Sequence, residues 1–234
     1  MESSHAIEKD YGKFYSGKDP AKVYPVEFVV RTLLGTYPGL NIDRTTYQGS
    51  TILDLGFGDG RNMPLLHDLG FDVSGVEISD EICELTRNRM QRLGVPVTVK
   101  TGTNAHIPFE SGLFDFVLSC HACYYVGPGE SFSDNLEEIA RVLRPGGRFI
   151  FSLLKSDSYL LAGATSLQDG HYLVNRDPYE LRNGSVLRAF ASREEVMDEL
   201  GRRFSDLALG LCENDYYGIY EKVWIGTGIR NDTK

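Results

Sequence analysis

The chain has 234 residues, 41% of them hydrophobic and 24% charged, with a formal net charge of −9. That length buries a sizeable core without disulfide or metal staples. An acidic chain argues against the broad basic face that nucleic acid or an anionic membrane would need, though not against a small local basic patch.

The first 49 residues hold one apolar helical stretch, Pro25 to Leu34, and several tyrosines. From residue 50 apolar runs alternate with helical patterns, which predicts βαβ units and a mostly parallel sheet. Ser50 to Leu55 is the first strand and Asn62 to Leu69 the helix after it, stopped by Gly70. Asp72 to Glu77 is the second strand. Asp80 to Leu93 is the next helix, capped by Ser79 or Asp80 and stopped by Gly94, with Ile82, Leu85, Met90 and Leu93 inward. Val95 to Thr101 and Phe114 to Ser119 are strands three and four, separated from a fifth, Arg148 to Leu154, by a helix over Ser133 to Leu143 and a turn at Pro145-Gly146-Gly147. Residues 155 to 190 lose clear periodicity. A helix from Ser192 to Gly201 follows, with Ser192 and Glu195 spaced as a capping box. Asp206 to Cys212 and Glu221 to Ile229 close the chain as an antiparallel pair.

The sharpest motif is Asp54-Leu55-Gly56-Phe57-Gly58-Asp59-Gly60, a strand running into close-spaced glycines and then a helix. Glycine permits positive φ and lets the backbone approach a ligand, and the helix start offers free N–H groups. The acid at the end of strand two, Glu77, can accept both hydroxyls of a ribose. A nucleotide-type ligand above strand one is therefore predicted. The glycine spacing is G-x-G-x-G, not the G-x-G-x-x-G of dinucleotide sites, which disfavours an NAD-dependent dehydrogenase.

The segments DLGFGDG, GVEIS and LRPGG, in this order over residues 48 to 154, resemble the class I S-adenosylmethionine-dependent methyltransferases, especially the small-molecule branch grouped with ubiquinone and menaquinone biosynthesis. The resemblance implies a Rossmann-like, doubly wound α/β fold, with a seven-stranded sheet whose last strand is antiparallel. It implies S-adenosylmethionine as methyl donor and S-adenosylhomocysteine as product. Asp54, Gly56 and Gly58 would line its methionine and ribose, Glu77 would hold the ribose, and Ile78 would pack on adenine. Asn104 and Ala105 lie in the matching loop after strand three, where the family's usual Asp is replaced by Asn104. Cys120 and His121 match the end of strand four, near the methyl group.

His121 is the candidate general base, chosen because a histidine titrates near physiological pH. Tyr11, Tyr15, Tyr124, Tyr125, His171, Tyr172 and Arg176 are candidate acceptor contacts. Cys120-His121-Ala122-Cys123 has the spacing of half a zinc site, but no second ligand pair matches it, so no metal is expected. The expected organisation is one methyltransferase domain over residues 1–234: an N-terminal cap over 1–49, a cofactor-binding half over 50–154, a substrate wall over 155–190 and terminal strands over 191–234.

The four cysteines, the lack of a leader-like N-terminus and the lack of an apolar run of ~18 residues predict free thiols, a cytoplasmic setting and no membrane partner. The expected acceptor is a small molecule with an oxygen or nitrogen nucleophile, with no nucleic-acid partner. A non-catalytic S-adenosylmethionine binder would carry the same motifs.

Overall fold

A computed structural model describes residues 23–231; Tyr11 and Tyr15 lie outside them. Helix α1 (Glu27–Leu34) buries Phe28, Val29 and Leu33. Then come β1 (Thr51–Leu55), α2 (Met63–Asp68), β2 (Asp72–Glu77), α3 (Asp80–Leu93), β3 (Val97–Thr101), β4 (Phe114–Ser119), the short β5 (Tyr125–Val126), α4 (Phe132–Val142) and β6 (Leu143–Lys155). After β6 the chain forms β7 (Thr165–Ser166), β8 (His171–Leu173), β9 (Val186–Phe190), α5 (Arg193–Leu200), β10 (Phe204–Tyr216) and β11 (Ile219–Arg230).

Seven strands run in the order β3-β2-β1-β4-β6-β11-β10, and only β11 opposes its neighbours. This is the sheet the resemblance implies. Helices α1 to α3 cover one face and α4 and α5 the other, each face with its own apolar cluster. The strand period of two sorts the residues: in β1, Leu53 and Leu55 enter the cluster under α4, while Ile52 enters the one under α1 to α3, the face Asp54 shares.

Several local expectations need correction. The turn at Pro145–Gly147 is absorbed into a strand of 13 residues, because the chain bends through Gly146 at φ +75° and a register shift without leaving β4. Residues 155 to 190 are not without regular structure. β9 pairs in parallel with the end of β6 and, with β5, β7 and β8, builds a small sheet above the main one. Those strands are two to five residues long, too short for periodicity to reveal. In α3 the buried stripe is Ile82, Cys83, Thr86, Arg89 and Met90, while Leu85 and Leu93 are exposed. Leu85 points about 100° away from that stripe on a helical wheel, and Leu93 lies in the last turn. Helix α4 starts one residue earlier than expected, capped by a reciprocal Ser131–Asp134 pair. In α5, Ser192 caps Glu195 as expected, but Glu195 reaches back to the N–H of Ala191 rather than of Ser192.

Candidate active site

The glycine loop leaves β1 through three left-handed residues, Gly56 (φ +70°), Gly58 (+56°) and Gly60 (+72°). A Cβ on Gly56 would stand 2.3 Å from the Cβ of Ala122, so the loop after β4 closes directly against it. Helix α3 clamps the loop from below. Thr86 donates to the carbonyl of Gly58 at 3.0 Å, and buried Arg89 donates to the carbonyl of Asp59 at 2.6 Å. The Asp59 carboxylate pairs with Arg61 at 2.9 Å. Neither Thr86 nor Arg89 is marked by any sequence motif, since helical spacing alone shows only that they share the inner face.

Two carboxylates face this loop. Glu77 accepts the N–H of Gly58 at 3.3 Å and the N–H of Ile78. Burial raises its pKa and those two donors work against the rise. Asp54 is fully buried and neither oxygen has a hydrogen-bond partner. Burial, then the charges of Glu77 and Asp59, push its pKa up to about 7. An orphaned buried carboxylate is costly, and one set beside a side-chain-free bend fits a cationic ligand that supplies the missing donors. The ammonium of S-adenosylmethionine meets that description, and its sulfonium adds a second positive charge. Ile78 is exposed beside Glu77, where an adenine face can lie on it.

Beyond β4, His121 adopts φ +56°, a conformation unfavourable for a residue with a Cβ. Its N–H is held by Ser152 Oγ at 2.8 Å, and its ring meets Phe28 edge-on, centroids 5.9 Å apart. The expected near-neutral histidine is not what the fold makes. Burial, then the nearby charges of Arg182 and Arg61, lower its pKa to about 4, so the ring is uncharged at neutral pH. Burial, with Asp54 nearby, raises the Cys120 thiol, which therefore stays protonated. Among the described residues no set of three or more His, Cys, Asp or Glu side chains could hold a metal.

Asn104 donates from its amide nitrogen to the carbonyls of Ala122 at 2.9 Å and Tyr125 at 3.1 Å. Both amide protons of Asn104 are thus spent on the loop after β4, and Oδ1 remains to accept. Ala105, next to it, is buried.

Tyr124 and Tyr125 stack at 5.3 Å, with Tyr124 buried. Arg182 donates to the Tyr125 hydroxyl at 3.0 Å and pairs with buried Asp177 at 3.0 Å. Asp177 also accepts the N–H groups of Tyr179, Leu181 and Arg182. The other predicted acceptor contacts among the described residues, His171, Tyr172 and Arg176, lie on β8 and just after it. His171 sits in the β7–β8 hairpin, its Nδ1 3.1 Å from the Gln168 carbonyl. Tyr172 packs on the core under α4, and Arg176 is exposed. The structure also brings the charge of Arg182, from a stretch with no readable period, near His121 and Tyr124, and that of Glu221, from β11, near Tyr124.

Residues 53–151 match the methyltransferase-domain family. Over this segment, under half of the chain, it is similar to the class I S-adenosylmethionine-dependent methyltransferases. It is 30% identical over 110 residues to a sterol 4-C-methyltransferase of Caenorhabditis elegans, a match covering 46% of this chain and 32% of that protein. It is 33% identical over 102 residues to the demethylmenaquinone methyltransferase of Tropheryma whipplei, covering 44% and 41%. The matches thus span under half the length of these curated relatives. In fold it is similar to an S-adenosylmethionine-dependent methyltransferase of Methanosarcina mazei, with a TM-score of 0.64 at 19% identity, covering 84% of this chain and 98% of that one. It is also similar to the 1,6-didemethyltoxoflavin-N1-methyltransferase of Burkholderia thailandensis, solved with 1,6-didemethyltoxoflavin and S-adenosylhomocysteine, with a TM-score of 0.62 at 18% identity, covering 99% and 87%. No helix of the described residues is long and apolar enough to cross a membrane.

Proposed function

We propose that this chain transfers the methyl group of S-adenosylmethionine to a small-molecule acceptor with an oxygen or nitrogen nucleophile. The carrying observation is the pair of carboxylates at the glycine loop: Glu77 already aimed by the Gly58 N–H, and Asp54 buried without a partner. In this reading Glu77 takes the ribose hydroxyls, Ile78 lies on adenine, and Asn104 Oδ1 and Ala105 border the base. Asp54, Gly56, Gly58 and Cys120 surround the methionine portion.

S-adenosylmethionine supplies an activated methyl on a sulfonium, so little covalent chemistry is left to the protein. What this chain's residues contribute is alignment and exclusion of water, and alignment alone is worth roughly 7–11 kcal/mol of a barrier. His121, uncharged at neutral pH, can accept a proton from an acceptor hydroxyl or amine. At about 4 its pKa makes it a weak base, which suits an acceptor whose proton is already acidic. Tyr124 and Tyr125 would border the acceptor side.

Titration of the full chain with S-adenosylmethionine and S-adenosylhomocysteine tests the binding half. Release of S-adenosylhomocysteine across a panel of small phenols and amines tests the transfer half. Binding without release to any acceptor would favour a non-catalytic binder.

A further inference from the structure

The β10–β11 hairpin is longer than its partner strand requires. β11 pairs with β6 from Val223 opposite Leu154 to Ile229 opposite Arg148. Its pairing with β10 continues outward, through Glu221 opposite Asn214 to Ile219 opposite Tyr216. Because β11 opposes β6, this overhang rises at the C-terminal edge of the parallel strands, the edge that carries Glu77 and His121. It is pinned there: the Lys222 N–H donates to Ser158 Oγ at 3.2 Å, and Lys222 Nζ pairs with Asp157 at 2.8 Å.

Side chains alternate along a strand, so Glu221 faces away from Lys222, on the side where Ile225 joins the apolar cluster under α1. Its charge acts on Cys120, Tyr124 and Tyr159, and Arg182 acts on it. Cys212 and Tyr216 of β10 also feel it. Glu221 is partly buried, yet no hydrogen bond or ion pair among the described residues engages its carboxylate. Arg182, the cation in view, already pairs with Asp177 at 3.0 Å. His121 is neutral. Among the described residues Glu221 therefore keeps a negative charge that lacks a hydrogen-bond donor, at the same edge of the sheet as His121. A carboxylate that loses water and gains no donor is unfavourable, and an incoming donor would reverse that.

Resting on the methyltransferase reading, we propose that Glu221 selects the acceptor, receiving the ammonium or N–H group of an amine. The amine need not be the methylated atom. Tyramine and 4-hydroxyphenylacetate share a phenol ring and carry opposite charges, so they serve as paired probes. The full chain is first titrated with S-adenosylhomocysteine, and the loaded protein is then titrated with each probe. The expected result is tyramine binding about tenfold or more tighter than 4-hydroxyphenylacetate, as a charge-assisted hydrogen bond allows. E221Q should lose about tenfold in tyramine affinity while keeping S-adenosylhomocysteine affinity and Tm. K222Q, on the opposite face of the same strand, should keep tyramine affinity, separating recognition from damage to the hairpin. Equal binding of the two probes, no tyramine binding at millimolar concentration, or wild-type tyramine affinity in E221Q would each overturn the proposal. Failure of the wild type to bind S-adenosylhomocysteine would remove the methyltransferase reading and this inference with it, and the first titration reads that separately.

Discussion

Glu77, the last residue of β2, accepts the backbone N–H of Gly58 at 3.3 Å, so carboxylate and glycine loop are set against each other before any ligand arrives. A preset carboxylate holds a ribose at lower entropic cost than a mobile one. E77A should weaken S-adenosylhomocysteine binding at least tenfold, since each hydrogen bond to a charged group is worth roughly 1.5–3 kcal/mol. Calorimetry checks it, and unchanged affinity would remove Glu77 from the site.

Gly56 combines φ +70° with a Cβ position 2.3 Å from Ala122 Cβ. G56A adds left-handed strain of roughly 1–2 kcal/mol and forces the β1 and β4 loops apart. The expected outcome is a lower midpoint in urea and a loss of S-adenosylhomocysteine binding larger than that fall in stability explains. A variant with wild-type affinity would show that the two loops need not touch.

Asp54 makes the ligand-free protein pH-sensitive. Its folded pKa of about 7 lies above the ordinary 3.8, so the stability it contributes is complete below pH 3.8 and is lost as pH rises through 7. Within that window the slope is up to ~1.4 kcal/mol per pH unit. The stability of wild type minus that of D54N, from urea melts between pH 5 and 8, should therefore fall with rising pH. A cationic ligand favours the ionised form, so S-adenosylmethionine binding at pH 7 should release a fraction of a proton in wild type and none from this site in D54N. Calorimetry in buffers of different ionisation enthalpy reads that fraction. A flat stability difference would mean Asp54 is ionised throughout.

Asn104 stands where the family usually has Asp, and its amide protons hold the Ala122 and Tyr125 carbonyls. A carboxylate has no proton to give, so N104D sets two carbonyls against a charge. It should destabilise the protein by roughly 1–3 kcal/mol and weaken cofactor binding through the displaced loop. A neutral or stabilising N104D would show that the loop has other support.

Much of the cofactor half is legible in the chain. β2 and α3 run over Asp72–Glu77 and Asp80–Leu93 as read from pattern, because alternation, helical spacing and the stop at Gly94 (φ +70°) are local properties. The small sheet of β5, β7, β8 and β9 was not legible: its strands exist only because they pair with one another and with the end of β6.

The sequence alone determined where the chain must turn on glycine and where Glu77 ends its strand, since the sign of φ and the period of a strand depend on neighbouring residues. Only the tertiary structure decided the chemistry of the site. Burial left Asp54 half-neutral and His121 a weak base, Arg89 reached the loop across 30 residues, and Glu221 came from the far end of the chain to face Arg182. Desolvation and charge proximity are properties of the packed molecule, and no stretch of sequence carries them by itself.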